Sequence, residues 1–313
     1  LTSGVLNYLV ELDLSYVDID HRMNHILCKT INPVVSGYCP IKRLVLTRTA
    51  LGVHGASAVF TALAGNTFLE ELIINGNRFT DSAVYPLIKL LEHPDSKISV
   101  LGLGSNDISQ RAMAELSPAI GKHPFLEEVL LNDNPLGDAG ADYLFKNLRD
   151  NNNLKVLNLG GCGLKKCKWG GKLRVMLSLK DLILSQNVID DDGFQNICDG
   201  LLGCVCLRHI DLGYNRFSGE ICKMIGAVLK ENLGLLSLSL AGNIMHSEVW
   251  KALAFALETN KTMNVLDIRW CDLNQLQAQH FCSSLNENQT CTVHMDYNPV
   301  SYHIRADSRK WAP

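Results

Sequence analysis

The pattern L-x-x-L-x-L-x-x-N-x-L recurs along this chain, and a unit of that size cannot bury its own apolar side chains. Only a stack of neighbouring units can do so, which restricts the fold to a repeat array. The pattern reads "LEELIINGNRF" from Leu69, "LEEVLLNDNPL" from Leu126, "LKVLNLGGCGL" from Leu154, "LKDLILSQNVI" from Leu179, "LRHIDLGYNRF" from Leu207 and "LLSLSLAGNIM" from Leu235. Weaker copies begin at Leu9, Ile41, Ile98 and Met263, and a degraded one at Thr290. The eleven starts are separated by 32, 28, 29, 28, 28, 25, 28, 28, 28 and 27 residues.

Within a unit, motif positions 4 and 6 point to one side of a short strand. The asparagine at position 9 offers an amide to turn groups that no ladder reaches. Asn77, Asn106, Asn134, Asn187, Asn215, Asn243 and Asn298 hold that place. Thr49, Cys162 and Cys271 substitute a weaker donor, whereas Val17 has none and predicts an irregular first turn. The second half of each unit is helical in period, as in Ala141, Leu144, Phe145 and Leu148. Thr80 and Ser109 stand where helix N-caps are expected.

With these motif copies the chain resembles the leucine-rich-repeat proteins of the ribonuclease-inhibitor type, over nearly its whole length. The resemblance implies an α/β fold, a right-handed solenoid (horseshoe) with a concave parallel β-sheet and convex helices. Length alone would suggest about two domains, but stacking implies a single solenoid over residues 1–313. "TCTVHMDYNPV" is expected to be a terminal strand, with residues 301–313 as a C-terminal capping tail. Leu1 to Tyr8 read as the tail of an earlier unit's helix, so a larger protein is expected.

Similar repeats occur in innate-immune receptors, actin regulators, Ran GTPase activators and ciliary scaffolds. A non-enzymatic protein-interaction scaffold is therefore the expected function. The alternative is a GTPase activator like the Ran-directed family, which would present an Arg or Asn at a strand-to-helix turn. Arg48, Arg78 and Arg216 lie near such turns, but that family's long acidic tail has no counterpart in "SYHIRADSRKWAP".

A chain of 313 residues with 19% charged residues and net charge -3 argues against bulk electrostatic binding of nucleic acid. No apolar run approaches the roughly 20 residues of a membrane span. Eleven scattered cysteines, an odd number, suit a reducing intracellular setting, cytoplasmic or nuclear, better than a disulfide framework.

Motif positions 2, 3, 5, 7 and 8 point off the concave sheet. Toward the N-terminus they are charged: Lys42, Arg43, Arg48, Glu70, Glu71, Glu127, Glu128 and Asp133. In the middle they are small: Gly102, Gly104, Ser105, Gly160 and Gly161. Toward the C-terminus, position 8 reads Tyr214, Gly242, Trp270, Tyr297, and position 5 reads Asp211, Ser239, Asp267, His294. Arg269 and Asp296 occupy position 7. An aromatic row beside an acidic row predicts a partner-binding surface for a basic segment; the same aromatics could instead cover the end of the stack. Gly242 is expected to leave a gap that a partner side chain enters.

The step of 25 marks one irregular unit, "GGCGLKKCKWGGKLRVMLSLKDLIL", Gly160–Leu184. Its helix is expected to shrink to Lys172–Ser178, with Cys167 to Gly171 outside any helix. Two readings stand open. Lys165, Lys166, Lys168, Lys172 and Arg174 could form a second, basic site anchored by Trp169. Alternatively, the stretch is a solvated irregularity with Trp169 folded over a thinner core.

Catalytic and metal chemistry find little support. Cys198, Cys204, Cys206 and His209 are close in sequence, but lack C-x-x-C spacing and diverge in direction. His294 with Asp296 and His209 with Asp211 have no accompanying nucleophile. No P-loop, G-x-S-x-G or H-E-x-x-H occurs. Neither a cofactor nor a catalytic residue is expected.

Overall fold

The structure is a computed structural model that describes residues 8–217, 221–285 and 290–298. The expected helix tail before Tyr8 and the capping tail at 301–313 lie outside the described residues. The chain divides into two compact units, Leu1–Cys162 and Gly163–Pro313.

Strands of three residues occupy motif positions 3 to 5. In the first unit these are β1 (Glu11–Asp13), β2 (Arg43–Val45), β3 (Glu71–Ile73), β4 (Val100–Gly102), β5 (Glu128–Leu130) and β6 (Val156–Asn158). In the second they are β7 (Asp181–Ile183), β8 (His209–Asp211), β9 (Ser237–Ser239), β10 (Val265–Asp267) and β11 (Thr292–His294). Within each unit strand order is chain order, β1 to β6 and β7 to β11, and every pairing is parallel.

Equivalent residues align without slip. Leu12, Leu44, Leu72, Leu101, Val129 and Leu157 form one row in the first unit. Leu182, Ile210, Leu238, Leu266 and Val293 form it in the second. A slip of one residue would turn each row to solvent. Leu44, Leu72, Leu101 and Leu157 are fully buried, each worth roughly 1.5–3 kcal/mol of apolar transfer.

Helices cover the inward face of the strands. They are α1 (His21–Ile31), α2 (Pro33–Ser36), α3 (Gly52–Leu63), α4 (Val84–Leu91), α5 (Gln110–Lys122) and α6 (Gly137–Asn147) in the first unit. The second has α7 (Asp191–Leu202), α8 (Cys222–Glu231), α9 (Ser247–Thr259) and α10 (Gln275–Leu285). None of the described helices is long and apolar enough to cross a membrane. The long first step of 32 residues is explained by α2, a four-residue turn added to the usual unit. Asn32 caps it by accepting from Val34 N and Val35 N, and Gly37 closes it at φ 76°.

Of the two expected caps, Ser109 accepts from Arg111 N at the start of α5. Thr80 makes no cap hydrogen bond and precedes a 3-10 turn at Asp81–Ala83. Asp81 of that turn instead reaches the next repeat, accepting from Ser109 N at 2.8 Å and Ser109 Oγ at 2.6 Å.

The position-9 asparagines bind two units at once. Asn106 Nδ2 donates to Ile74 O at 3.1 Å and to Leu103 O at 2.9 Å, while its Oδ1 accepts from Asn77 N at 2.9 Å. Asn77, Asn134, Asn215, Asn243 and Asn298 repeat this bridge to the preceding unit. Thiols replace the amide donor where the motif fails: Cys162 Sγ reaches Leu131 O and Cys271 Sγ reaches Leu240 O, both at 3.2 Å.

A second set, not anticipated from the motif, lies three residues before the unit start. Asn66, Asn151, Asn232 and Asn260 each accept from the N–H groups that enter the next strand. In the fourth unit the place is taken by His123, whose Nδ1 accepts from Phe125 N and whose Nε2 meets Ser96 Oγ at 3.1 Å. Burial pushes the His123 imidazole down from 6.5 to about 4.

Above pH 6.5 the ring is neutral in both folded and unfolded chains, and stability is full. As pH falls from 6.5 toward about 4, only the unfolded chain takes up the proton, and stability is lost across that window. The loss is about 3 kcal/mol at most. His123→Asn, which installs the side chain used at the equivalent places, is expected to remove this contribution. Urea midpoints between pH 4 and 7.5 test it: parallel curves for the two proteins would refute the assignment.

Candidate functional site

Position 8 of every unit is left-handed. φ is 63° at Tyr16, 52° at Arg48, 54° at Ser105, 55° at Asp133, 59° at Gln186, 53° at Tyr214, 60° at Trp270 and 61° at Tyr297. Glycine holds the same place at Gly76, Gly161 and Gly242. A side chain there costs on the order of 1–3 kcal/mol in backbone strain.

From this turn the side chain leans over the following unit. A Cβ added at Gly76 would lie 2.7 Å from Arg48 Cγ, and one at Gly161 would lie 2.3 Å from Asp133 Oδ1. At Gly242 it would lie 2.4 Å from Tyr214 Cδ1, so the Tyr214 ring already fills the space expected to be a gap. Trp270 follows the same lean and stacks on Tyr297, with centroids 4.4 Å apart and planes within 4°. Tyr214, Trp270 and Tyr297 are still 50%, 53% and 61% exposed.

Beside the aromatics, Asp211, Ser239, Asp267 and His294 run in register along the strands of the second unit. Asp267 grips Arg269 with both oxygens, from Nε at 2.9 Å and from Nη2 at 2.6 Å. Its hydrogen bond, more than its charge, holds the guanidinium pKa above the usual arginine value. Asp211 uses one oxygen to accept from Gly213 N at 3.0 Å. Asp296 is half-buried two residues beyond His294. An open groove of about 260 Å³ is lined by Asp211, Tyr214, Ser239, Asp267, Arg269 and Trp270, among others. It pairs aromatic surface with carboxylates, and its resident arginine shows that a guanidinium fits there.

The charged residues of the first unit are mutually paired across neighbouring strands. Lys42 meets Glu70 at 2.7 Å, Arg43 meets Glu71 at 2.9 Å, and Lys155 meets Glu127 at 2.7 Å. Such exposed pairs add little stability, but they leave less charge to offer a partner. Arg48, Arg78 and Arg216 are exposed on strand-to-helix turns, the first two with φ of 52° and 54°.

The basic stretch departs from its exposed reading. Trp169 is fully buried and presents no ring to a partner. Lys166 pairs with Asp190 at 2.8 Å and Asp192 at 2.7 Å, and Lys165 comes within 4.0 Å of Asp190. Asp190 and then Asp192 push the Lys166 ammonium pKa upward. Lys168 is exposed, and Arg174 Nε donates to Asp199 O at 3.0 Å in the last turn of α7. A 3-10 helix at Gly170–Val175 replaces the expected Lys172–Ser178 helix, so Gly170 and Gly171 are helical after all.

Cys198 and Cys204 are buried, Cys206 is half-buried, and His209 lies on the exposed strand face 4.0 Å from Asp181. Among the described residues no three His, Cys, Asp or Glu side chains are placed to hold a metal.

Comparison with known proteins adds a family. The family model "Leucine Rich repeat" matches residues 65–87, 122–145, 175–198 and 203–226. The Mus musculus ribonuclease inhibitor is 28% identical over 269 residues, covering 84% of this chain and 59% of that protein. The Sus scrofa ribonuclease inhibitor is 27% identical, covering 80% of this chain and 56% of its own length. Homo sapiens NACHT, LRR and PYD domains-containing protein 2 is 30% identical over 285 residues, covering 88% of this chain and 26% of that protein. The chain thus spans between about a quarter and three fifths of these relatives.

Proposed function

Because this chain is a leucine-rich-repeat protein of the ribonuclease-inhibitor type, we propose that it is a non-enzymatic scaffold that binds a protein or peptide on the solvent face of its sheet. The contact centres on Tyr214, Trp270 and Tyr297, with Asp211, Asp267, Arg269, His294 and Asp296 beside them. One observation carries the reading. Three large aromatics sit at left-handed positions where other units use glycine, and they remain half exposed. Burial in the chain's own core does not offset that strain, whereas burial by a partner would.

A basic partner segment suits the groove, where Asp211 lines the wall with Tyr214 and Trp270 and makes no ion pair among the described residues. Burial pushes the Cys162, Cys271 and Cys291 thiols up to about 12, which keeps these three protonated and unreactive as nucleophiles. The ten described cysteines are free thiols, which suits a reducing, intracellular setting.

The test is the double variant Trp270→Gly/Tyr297→Gly, which removes the rings and gives the left-handed turns the residue they favour. Affinity purification from cells with mass spectrometry should show loss of specific binders, with apparent affinity for each reduced roughly a hundredfold or more. The thermal midpoint should change little, because relief of strain offsets the lost stack. Retention of the same binders at the same strength would defeat the proposal.

A further inference from the structure

The turns from helix to strand carry a different feature. Two residues before the unit start, the second unit has Leu177, Val205 and Leu233 in three consecutive repeats. They are 59%, 68% and 68% exposed. The same place in the first unit holds buried Cys39 and then Thr67, Ser96, Pro124 and Asn152. The fold therefore does not require aliphatic residues there.

The row is held on a rigid base. Arg208 Nη1 donates to Val205 O at 3.2 Å and Gly234 O at 2.5 Å, bridging the turns that bear Val205 and Leu233. Asn232 Nδ2 donates to Cys204 O at 3.0 Å. Arg174 lies against Gly203, where an added Cβ would sit 2.8 Å from its Cδ. Both guanidinium groups bond to neutral carbonyls, so their charge is not cancelled.

The neighbouring position-2 column sharpens the contrast. In the first unit its cations Lys42 and Lys155 are paired with Glu70 and Glu127. In the second, Lys180 and Arg208 adjoin on consecutive units, and no carboxylate pairs with either among the described residues. The cations placed at the row are thus Arg174, against Gly203, and Arg208, at the turns of Val205 and Leu233, with Lys180 beside Arg208.

From this we infer that the row Leu177–Val205–Leu233 is a second docking edge, separate from the aromatic face, for a partner-protein segment that carries aliphatic residues among Asp and Glu. The aliphatic side chains supply apolar burial, and the uncancelled cations select an acidic segment. Because the row is pre-ordered by side-chain staples, binding costs this chain little conformational entropy.

The full chain, immobilised, is panned against a random peptide library displayed on phage. Enriched peptides should combine Leu, Ile or Phe with Asp and Glu and carry net negative charge. As synthetic peptides they should lose roughly tenfold or more in affinity against Val205→Asp/Leu233→Asp. They should weaken several-fold against Lys180→Glu and with added salt, yet bind Trp270→Gly/Tyr297→Gly as well as the parent. The Asp variant and Lys180→Glu should keep the parental thermal midpoint, since Val205 and Leu233 are exposed and Lys180 makes no ion pair among the described residues. The inference is overturned if enriched peptides are basic, or if they bind the Asp variant undiminished. It is equally overturned if the Asp variant instead abolishes self-association in sedimentation or binding to phosphatidylserine vesicles, which would make the occupant a second copy or a membrane surface.

Discussion

Asn77→Ala is expected to destabilise the first unit by roughly 3–5 kcal/mol. The side chain is 1% exposed. Its Nδ2 donates to Leu46 O at 2.6 Å, Ile74 O at 3.2 Å and Asn75 O at 3.1 Å. Its Oδ1 accepts from Thr49 N at 3.1 Å, Thr49 Oγ1 at 2.9 Å and Leu51 N at 3.2 Å. Alanine leaves these buried groups without their amide partner, so the cost is that of buried polar atoms left unsatisfied.

Chemistry already present in the chain sets an internal control. Cys162 stands in the same motif position and donates only to Leu131 O and Gly160 O, at 3.2 and 3.6 Å. Asn77→Cys restores a donor toward Leu46 O but no acceptor for Thr49 and Leu51. It should therefore cost about half as much as alanine. Urea denaturation followed by circular dichroism gives the ranking, and amide exchange at residues 44–51 locates it. If alanine and cysteine prove equally costly, the loss is one of packing rather than of hydrogen bonding.

The stacked core was legible because its signal lies within each unit: leucines at fixed spacing can bury only one way. The short sixth step marked the irregular unit, although its 3-10 helix runs over Gly170–Val175 and not Lys172–Ser178. What escaped reading acts between neighbouring repeats, at separations of 24 to 28 residues. In "LKKCKWGGK" Lys166 has no acid nearby in sequence, and Asp190 and Asp192 of the next repeat reach it only in the fold. Gly242 looks like an opening until the Tyr214 ring is placed over it. The left-handed turn at position 8 was hinted at by Gly76, Gly161 and Gly242, but eight larger residues in the same column obscured it. Those eight include the aromatic site residues, so their chemistry was readable in the sequence while the strain that sets them apart was not.

Gly170 and Gly171 are adjacent and both helical, yet their replacement by alanine should have opposite consequences. A Cβ at Gly170 would lie 2.1 Å from Asn196 O and 2.4 Å from its carbonyl carbon, against the backbone of α7. The contact is reciprocal: a Cβ at Gly200 would lie 2.0 Å from Gly170 O, and one at Gly193 would lie 2.1 Å from Lys165 O. Glycines from both segments thus let one backbone approach the other, which accommodates the shortened unit. Gly170→Ala must force the 3-10 helix away from α7 and should cost about 3 kcal/mol or more. At Gly171 nothing lies within 4 Å of the added carbon and φ is not left-handed. There alanine chiefly restricts the unfolded chain and should be neutral or stabilising by up to about 1 kcal/mol. Urea midpoints of the two variants, with amide exchange over residues 164–203, decide the matter. Equal effects would mean that the pair serves backbone flexibility, whereas a loss confined to Gly170 identifies close packing as the reason the chain carries glycine there.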